Sequence, residues 1–260
     1  MLEELWSAYY VSTFNPARLN VRAMRAEMPK KHWATLPEAR LIPQLVRKAP
    51  ERTASMVAPR LEPSEASRYL PASRELPALA AAAKECRACP LHERASRTVF
   101  GEGPATAQVM LVGEQPGDTE DREGRPFLGP AGQLLDEVLE QVGLRREALY
   151  VTNAVKHFGW TGEGREVLAC KAWLEAEVSA VKPRMIVCLG ATASQAFLGP
   201  GFRINLSRGQ VFETPWAKAW MATFHPSALL RMPDERSRAE TRAHFEADLR
   251  KVAETLRALR

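Results

Sequence analysis

The segment AQVMLVGEQPG at residues 107–117 decides our prediction of the fold. Its apolar run ends in glycine and continues into a Gly/Pro loop, which is typical of a buried strand. Similar strands are predicted at 148–155, 184–190 and 219–227, and segments with apolar residues at helical spacing lie at 129–143, 165–181, 191–199 and 245–259. This alternation predicts an α/β fold with a doubly wound, mostly parallel central sheet flanked by helices.

The composition, with 45% hydrophobic and 26% charged residues, is that of a soluble globular protein. The sequence contains no run of 18 apolar residues and begins without a secretory signal, so we expect no membrane association and a cytoplasmic location. The net charge of +5 is compatible with nucleic-acid binding but is weak support for it.

Three regions are expected along the chain. Residues 1–50 are aromatic and basic and predict a helical N-terminal fragment, while residues 51–77 contain several prolines among small and charged residues and predict a linker. Residues 78–260 hold the predicted strands and helices of the α/β domain. We find no internal repeat and no low-complexity segment.

Polar clusters follow three of the predicted strands, at 113–121, 153–157 and 225–227. In doubly wound folds ligands bind at the carboxyl ends of the strands, so we expect these clusters to form one site. The first cluster lacks the Lys and Ser/Thr of a P-loop and the glycine spacing of a dinucleotide fingerprint. Nucleoside triphosphates and NAD are therefore poor candidate ligands.

The first cluster supplies the carboxylates of Glu114 and Asp118 and the amide of Gln115. The ring of Phe127, in the Gly/Pro-rich loop that follows, is suited to stacking on a planar ligand. The alternative is a solvated acidic turn in which Phe127 fills the core.

The other two clusters carry Asn153 and His225. An Asn amide at a strand end presents a donor and an acceptor that match the edge of a nucleobase, although the same residue type also caps turns. His225 is suited to donating a hydrogen bond to an oxyanion, and Ser227 to capping a helix and contacting a phosphate.

The four cysteines include the pair in ECRACP, Cys86 and Cys89, and two later residues, Cys170 and Cys188. A C-x2-C turn directs two thiolates at one metal site, and four thiolates suit zinc or a [4Fe–4S] cluster equally by spacing alone. The alternative for Cys170 and Cys188 is that both are small buried hydrophobic residues.

These motifs together resemble the iron–sulfur uracil-DNA glycosylases. The resemblance rests on GEQPGDTED at 113–121, the Phe127 loop, TNAVKH at 152–157, HPSALLR at 225–231 and the cysteine spacing, and it covers roughly residues 78–258. GEQPGD together with TNAVKH is most similar to the UdgX type within the family 4-like group. Residues 5–33 are similar to the end of an uncharacterised DNA-metabolism domain that is found fused to such glycosylases.

The resemblance implies base-excision repair of single- or double-stranded DNA by base flipping, with the chain acting as a monomer. It implies that the backbone of Glu114–Gln115 and the ring of Phe127 hold the uracil, that Asn153 reads its polar edge, and that His225 faces O2. Glu114 or Asp118 would support the developing sugar cation.

The resemblance further implies residues that contact DNA phosphates and a structural [4Fe–4S] cluster. The expected phosphate contacts are Lys156, Ser227 and Arg231, and the expected cluster ligands are Cys86, Cys89, Cys170 and Cys188.

One segment departs from the UdgX type. In that type a basic loop after TNAVKH carries a histidine that bonds covalently to the deoxyribose, whereas this chain has only FGWTGEG at 158–164. We therefore expect water to attack the sugar and ordinary turnover to follow. The alternatives are a uracil-DNA binding protein with little turnover, non-covalent or covalent through another residue, and a zinc-stapled interaction module with a degenerate pocket.

Overall fold

The computed structural model of the protein describes residues 64–159 and 165–259. The predicted helical fragment at 1–50 and the first part of the predicted linker lie outside the described residues.

A five-stranded sheet forms the centre of the domain, with the strand order β2-β1-β3-β5-β4. The first four strands in this order are parallel, and the edge strand β4 is antiparallel to β5. The strands are β1 (Val109–Gly113), β2 (Tyr150–Asn153), β3 (Met185–Leu189), β4 (Val211–Thr214) and β5 (Ala217–Thr223). The prediction of a doubly wound, mostly parallel sheet is confirmed. The short, partly exposed β4 was not predicted.

Helices alternate with these strands along the chain. They are α1 (Leu76–Ala83), α2 (Asp118–Glu123), α3 (Pro130–Gln141), α4 (Arg165–Val181), α5 (Ala191–Leu198), α6 (Ile204–Ser207), α7 (Pro226–Leu230) and α8 (Glu235–Ala258). Short 3-10 helices span Glu65–Tyr69, Pro90–Glu93 and Arg146–Ala148.

Helices cover both faces of the sheet, so its inner strands are apolar on both sides. In β1, Met110 and Val112 pack with residues of α4 and α5, whereas Val109 and Leu111 pack with residues of α3 and α8. This alternation is the two-residue period of an extended strand. Because both faces of the sheet are buried, the polar side chains that follow the strands lie at its carboxyl edge.

Part of the predicted linker packs on the domain. The 3-10 helix at Glu65–Tyr69 contacts α4, and Ala66 within it is fully buried. The hydroxyl of Ser64, which caps this turn, donates a hydrogen bond to the carbonyl of Ala169 in α4. Residues 64–76 therefore belong structurally to the same body as the sheet.

In the part of the chain that the structure describes, no helix combines the length and apolar character that a membrane span requires.

Candidate active site

The parallel register brings the ends of neighbouring strands together. Gly113, the last residue of β1, lies beside Asn153, the last residue of β2. Leu189 at the end of β3 pairs with Thr223 at the end of β5, and the next residue, Gly190, donates its N–H to the Thr223 carbonyl. All three predicted polar clusters therefore reach one edge of the sheet.

Gly113 makes room for two of the predicted site residues. A Cβ atom at this position would lie 2.3 Å from Asn153 Oδ1 and 2.5 Å from Phe127 Cζ. Real Cβ atoms do not approach other atoms so closely, so the Asn153 amide and the Phe127 ring meet because residue 113 has no side chain. The structure thus brings Asn153 and Phe127 together over the end of β1.

The loop that carries Phe127 is held in an unusual conformation. Phe127 has φ 56°, a left-handed value that a non-glycine residue adopts only when its surroundings impose it. Its carbonyl occupies the space in which a Cβ of Gly132 would lie, so the first turn of α3 packs directly against the Phe127 backbone. The ring is 5% exposed.

Glu120 ties this loop to the loop after β1. One carboxylate oxygen accepts from the N–H groups of Leu128 and Gly129, at 2.9 and 2.8 Å, and the other accepts from Gly117 N–H at 2.9 Å. The side chain is 7% exposed. Glu120 stands in the motif GEQPGDTED, but its bridging role depends on residues eight and nine positions later and was not predicted.

Asn153 carries an unused acceptor. Its side chain is 2% exposed, and Oδ1 is buried with no hydrogen-bond partner among the described residues. An unpartnered buried amide oxygen carries a desolvation cost of about 1–3 kcal/mol, so such an atom at a site edge indicates a ligand donor.

His225 presents a donor to the same region. Its Nδ1 accepts the backbone N–H of Ser227 at 3.1 Å, which places the proton of the neutral ring on Nε2. Nε2 is buried without a partner in the described residues. The ring centroid lies 5.9 Å from that of Phe127, with a tilt of 32° between the rings. Asn153 and His225 therefore both lie near the Phe127 ring.

The protonation state of His225 follows from its surroundings. Burial first, and the positive charge of Arg231 second, lower the pKa of His225 to about 4. The imidazole is therefore neutral at physiological pH, with its Nε2 proton directed away from Ser227.

The two candidate carboxylates lie in different environments. Glu114 is half-buried directly after β1, and its Oε2 accepts a 2.8 Å hydrogen bond from Thr192 Oγ1 in the first turn of α5. Asp118 is exposed on α2 and forms a 2.6 Å ion pair with Arg122. The structure therefore holds Glu114 at the sheet edge and leaves Asp118 at the surface. Thr192 was not predicted.

The remaining predicted contacts are divided between the site rim and the core. Gln115 is half-buried in the loop after β1, Ser227 is half-buried in α7, and Arg231 is exposed at the end of that helix. Lys156 is 1% exposed, and its ammonium group bonds to Glu177. The prediction that Lys156 contacts DNA phosphate is corrected, because its charge is enclosed in the core.

The cysteines do not form the predicted group of four. Cys89 and Cys170 are neighbours, and the hydrogen bond between them, together with His157, lowers the pKa of the Cys89 thiol. Cys188 instead lies in β3 beside Trp220, where burial raises the pKa of its thiol. Nowhere in residues 64–159 and 165–259 do three or more His, Cys, Asp or Glu side chains stand in metal-binding geometry.

His157, unlike Cys188, interacts with Cys89 and is the better candidate for a fourth donor, although these side chains do not stand in metal-binding geometry in the described structure either. It is 4% exposed, its Nε2 shares a 2.9 Å hydrogen bond with Thr98 Oγ1, and its Nδ1 is buried without a partner in the described structure. Cys86 lies in the same turn as Cys89 and packs in the same cluster as Trp173, one helical turn from Cys170. Three thiols and one imidazole fit an iron–sulfur or zinc site by donor type.

The chain is similar to curated proteins over this domain. It is 43% identical over 152 residues to a Type-4 uracil-DNA glycosylase of Thermotoga maritima, covering 57% of this chain and 79% of the relative. It is 37% identical over 180 residues to the Type-4 enzyme of Archaeoglobus fulgidus, covering 65% and 87%. The Pyrobaculum aerophilum enzyme is 36% identical, covering 64% and 87%.

Two family models match separate parts of the chain. Residues 1–38 match a domain of unknown function, DUF4130. Residues 100–253, more than half of the chain, match the uracil DNA glycosylase superfamily and include the whole sheet and the edge described above. The chain therefore belongs to the uracil DNA glycosylase superfamily.

Proposed function

We propose that the protein is a uracil-DNA glycosylase that hydrolyses the N-glycosidic bond of a flipped-out deoxyuridine and releases uracil. The observation that carries this proposal is a pair of buried polar atoms without partners among the described residues, Asn153 Oδ1 and His225 Nε2, in two residues that both lie near the Phe127 ring. One is an acceptor and the other a donor, which is the pattern that a pyrimidine with N3–H and O2 requires.

Asn153 selects the base. Its Oδ1 accepts from uracil N3–H while its Nδ2 donates to O4, and cytosine presents the reversed pattern at these two positions. The Phe127 ring stacks on the flipped base, a contact that contributes about 1–3 kcal/mol toward the cost of extruding it.

His225 stabilises the leaving group. Cleavage places negative charge on the uracil ring, and Nε2–H donates a hydrogen bond to O2 as that charge develops. The neutral ring can do so because Ser227 N–H occupies Nδ1 and holds the tautomer. The interaction strengthens in the transition state, so it lowers the barrier more than it strengthens binding.

Glu114 assists at the sugar. Departure of uracil leaves an oxocarbenium-like C1′, and a carboxylate beside it stabilises this charge and accepts a proton from the attacking water. The new bond joins the water oxygen to C1′, the C1′–N1 bond breaks, and the electron pair leaves with uracil. Glu114 suits this role better than Asp118, because Asp118 is exposed and paired with Arg122.

The subtype is a finer proposal. We propose a relative of the UdgX type that has lost the covalent step, because FGWTGEG at 158–164 contains no histidine. In the same proposal residues 1–38 are part of a domain fused to the glycosylase, and the enzyme acts as a monomer.

DNA contacts surround the base site. We assign Arg231 to phosphate binding because it is exposed at the end of α7, the short helix that begins directly after His225. We assign Ser227 to the same role because it lies at the start of this helix. Leu230 in α7 is 43% exposed, and an exposed apolar side chain beside a flipped base is suited to filling the gap in the stack.

A [4Fe–4S] cluster is proposed as the cofactor, held by Cys86, Cys89, Cys170 and His157. When bound, it would supply a structural crosslink between the cysteine turn, the segment after β2 and helix α4. No chemical step at the uracil site requires it.

A denaturing gel tests the proposed reaction. A labelled oligonucleotide with one uracil is incubated with the protein and run before and after alkali. Strand cleavage that depends on alkali, with no slow protein–DNA band, supports hydrolysis by water. A heat- and detergent-resistant band would contradict hydrolysis and show that another residue captures the sugar.

A further inference from the structure

We propose that a basic cleft beside the cysteine turn binds phosphodiester groups of the DNA strand that continues away from the flipped nucleotide. The cleft has a volume of about 470 Å³, and its lining includes Lys84, Arg87, His92, Arg97, Glu123 and His157. This inference rests on the proposed function, since it assigns a further part of the same substrate to the protein.

The cleft carries excess positive charge. Lys84, Arg87 and Arg97 are exposed, and none of them forms an ion pair within the described residues. Glu123 is the one carboxylate among the residues that line the cleft. Three cations against one carboxylate, without internal pairing, form a surface that attracts a polyanion.

Hydrogen bonds hold the Arg87 side chain and the backbone of Arg97 in place. The guanidinium of Arg87 donates to the carbonyls of Lys84 and Cys86, both at 3.2 Å, which holds it at the end of α1. The backbone N–H groups of Ser96 and Arg97 donate to Asp121 at 2.9–3.3 Å. Pre-positioned cations lose less side-chain entropy when they contact a phosphate.

Helix α2 connects the cleft to the uracil site. Its first residue follows the loop that carries Glu114, and its last residue, Glu123, lines the cleft together with Gly124. Six residues at 1.5 Å each give a helix of about 9 Å. A DNA strand covers that distance in about two to three nucleotides at 3.4 Å each. The carboxyl end of α2 adds weak negative charge, which the three cations outweigh.

The lining favours a backbone over a base. Besides basic, small and polar residues, the cleft is lined by the imidazoles of His92 and His157 but by no Phe, Tyr or Trp, so it has no large aromatic surface on which a nucleobase would stack. The chemistry that it recognises is a phosphate ester, from the DNA backbone or from a small phosphorylated molecule. We assign the cleft to the DNA backbone, because helix α2 links it to the uracil site.

The test compares Lys84→Gln/Arg97→Gln with Lys218→Gln/Arg257→Gln in the full chain. The control residues are exposed, and Lys218 lies at the amino end of β5, opposite the site. Arg87 is kept, because it bonds to the cysteine turn. Binding to a uracil-free single strand of about 20 nucleotides is measured from 50 to 300 mM salt, so the result does not depend on catalysis.

We expect the cleft variant to reduce the slope of log K against log salt by about 1.4, or about 0.7 for each lost contact, while the control changes little. An equal slope for both variants overturns the proposal. The proposal is also overturned if inorganic phosphate binds the parent protein at matched ionic strength while the salt slope of DNA binding is the same for the cleft variant and the parent. The cleft would then be a site for a small phosphorylated ligand. If the parent protein releases no uracil but the slopes of the cleft variant and the control still differ as expected, only the proposed function is contradicted.

Discussion

Lys156 and Glu177 form an ion pair in the core, with Nζ and Oε2 2.5 Å apart and side chains that are 1% and 0% exposed. Glu177 also accepts from Gly101 N–H, Tyr150 OH and Thr152 Oγ1. The same ammonium donates to the carbonyl of Asn153 at 2.7 Å. The network therefore supports the backbone of the residue that we assign to base recognition.

Removing one partner of this pair is expected to destabilise the fold. Lys156→Met leaves the Glu177 carboxylate buried and unpaired, which costs about 3–5 kcal/mol of unfolding free energy. Lys156→Met/Glu177→Leu removes the unpaired charge but leaves Gly101 N–H and the Tyr150 and Thr152 hydroxyls without their acceptor, so it is expected to recover only part of this loss. Urea denaturation measures both variants, and Arg236→Ala, which breaks an exposed pair with Glu240, serves as the control with little effect. Equal stability of Lys156→Met and the parent protein would show that the pair is dispensable.

Gly113→Ala tests the meeting of Asn153 and Phe127. The added Cβ would lie 2.3 Å from Asn153 Oδ1 and 2.5 Å from Phe127 Cζ, so both side chains must move. We expect kcat/KM for uracil excision to fall by at least about tenfold, since misplacement by about 1 Å has large effects on catalysis. Gly143→Ala, where a Cβ would meet no atom within 4 Å although φ is +74°, serves as the matched control. Unchanged excision by Gly113→Ala would contradict the assigned site.

The pH dependence tests the state of His225. Its folded pKa of about 4 lies below its ordinary value of 6.5, so the unfolded chain takes up the proton first as the pH falls. The contribution of His225 to stability is therefore fully present above about pH 6.5 and is lost between there and pH 4. NMR of the ring nitrogens is expected to show the neutral Nε2–H tautomer at pH 6. A ring that titrates near pH 6.5 would contradict the neutral donor role.

Cysteine and histidine variants distinguish two candidate sets of cluster ligands. Both sets contain Cys86, Cys89 and Cys170, and the fourth ligand is either Cys188 or His157. Cys170→Ser and His157→Ala are expected to reduce the iron and sulfide content and the visible absorption of the purified protein, whereas Cys188→Ala should retain both. Thermal unfolding of each variant, measured in parallel, distinguishes loss of the cluster from a general loss of structure. If Cys188→Ala loses the colour and His157→Ala keeps it, the predicted set of four cysteines was right and the set proposed from the structure is wrong.

Much of the fold followed from local pattern. The apolar runs that end in Gly113, Asn153 and Leu189 predicted strands, and the parallel arrangement then required their polar ends to share one edge. The edge strand β4 escaped prediction because its residues are only partly buried, so it lacks a continuous apolar run.

The errors at the site have a common physical origin. Lys156 was assigned to phosphate from the resemblance, but the buried Glu177 that pairs with it stands 21 positions later, where the local sequence offered no signal. Cys188 was included because all cysteines were counted together, although it lies inside an apolar strand. Thr192 and Glu120 make contacts that arise only when separate loops meet, so local pattern carried no signal for them.

The most direct measurement is the rate of free uracil release from a single-stranded oligonucleotide by the parent protein, Asn153→Ala and His225→Ala, with a cytosine oligonucleotide in parallel. We expect the parent protein to release the base from the uracil oligonucleotide and not from the cytosine oligonucleotide. For His225→Ala we expect the rate of uracil release to fall by about 10²–10³-fold, as for loss of an oxyanion donor, and for Asn153→Ala we expect most of the preference for uracil over cytosine to be lost. Equal rates for the parent and both variants would contradict the assignment of this sheet edge as the site of uracil excision.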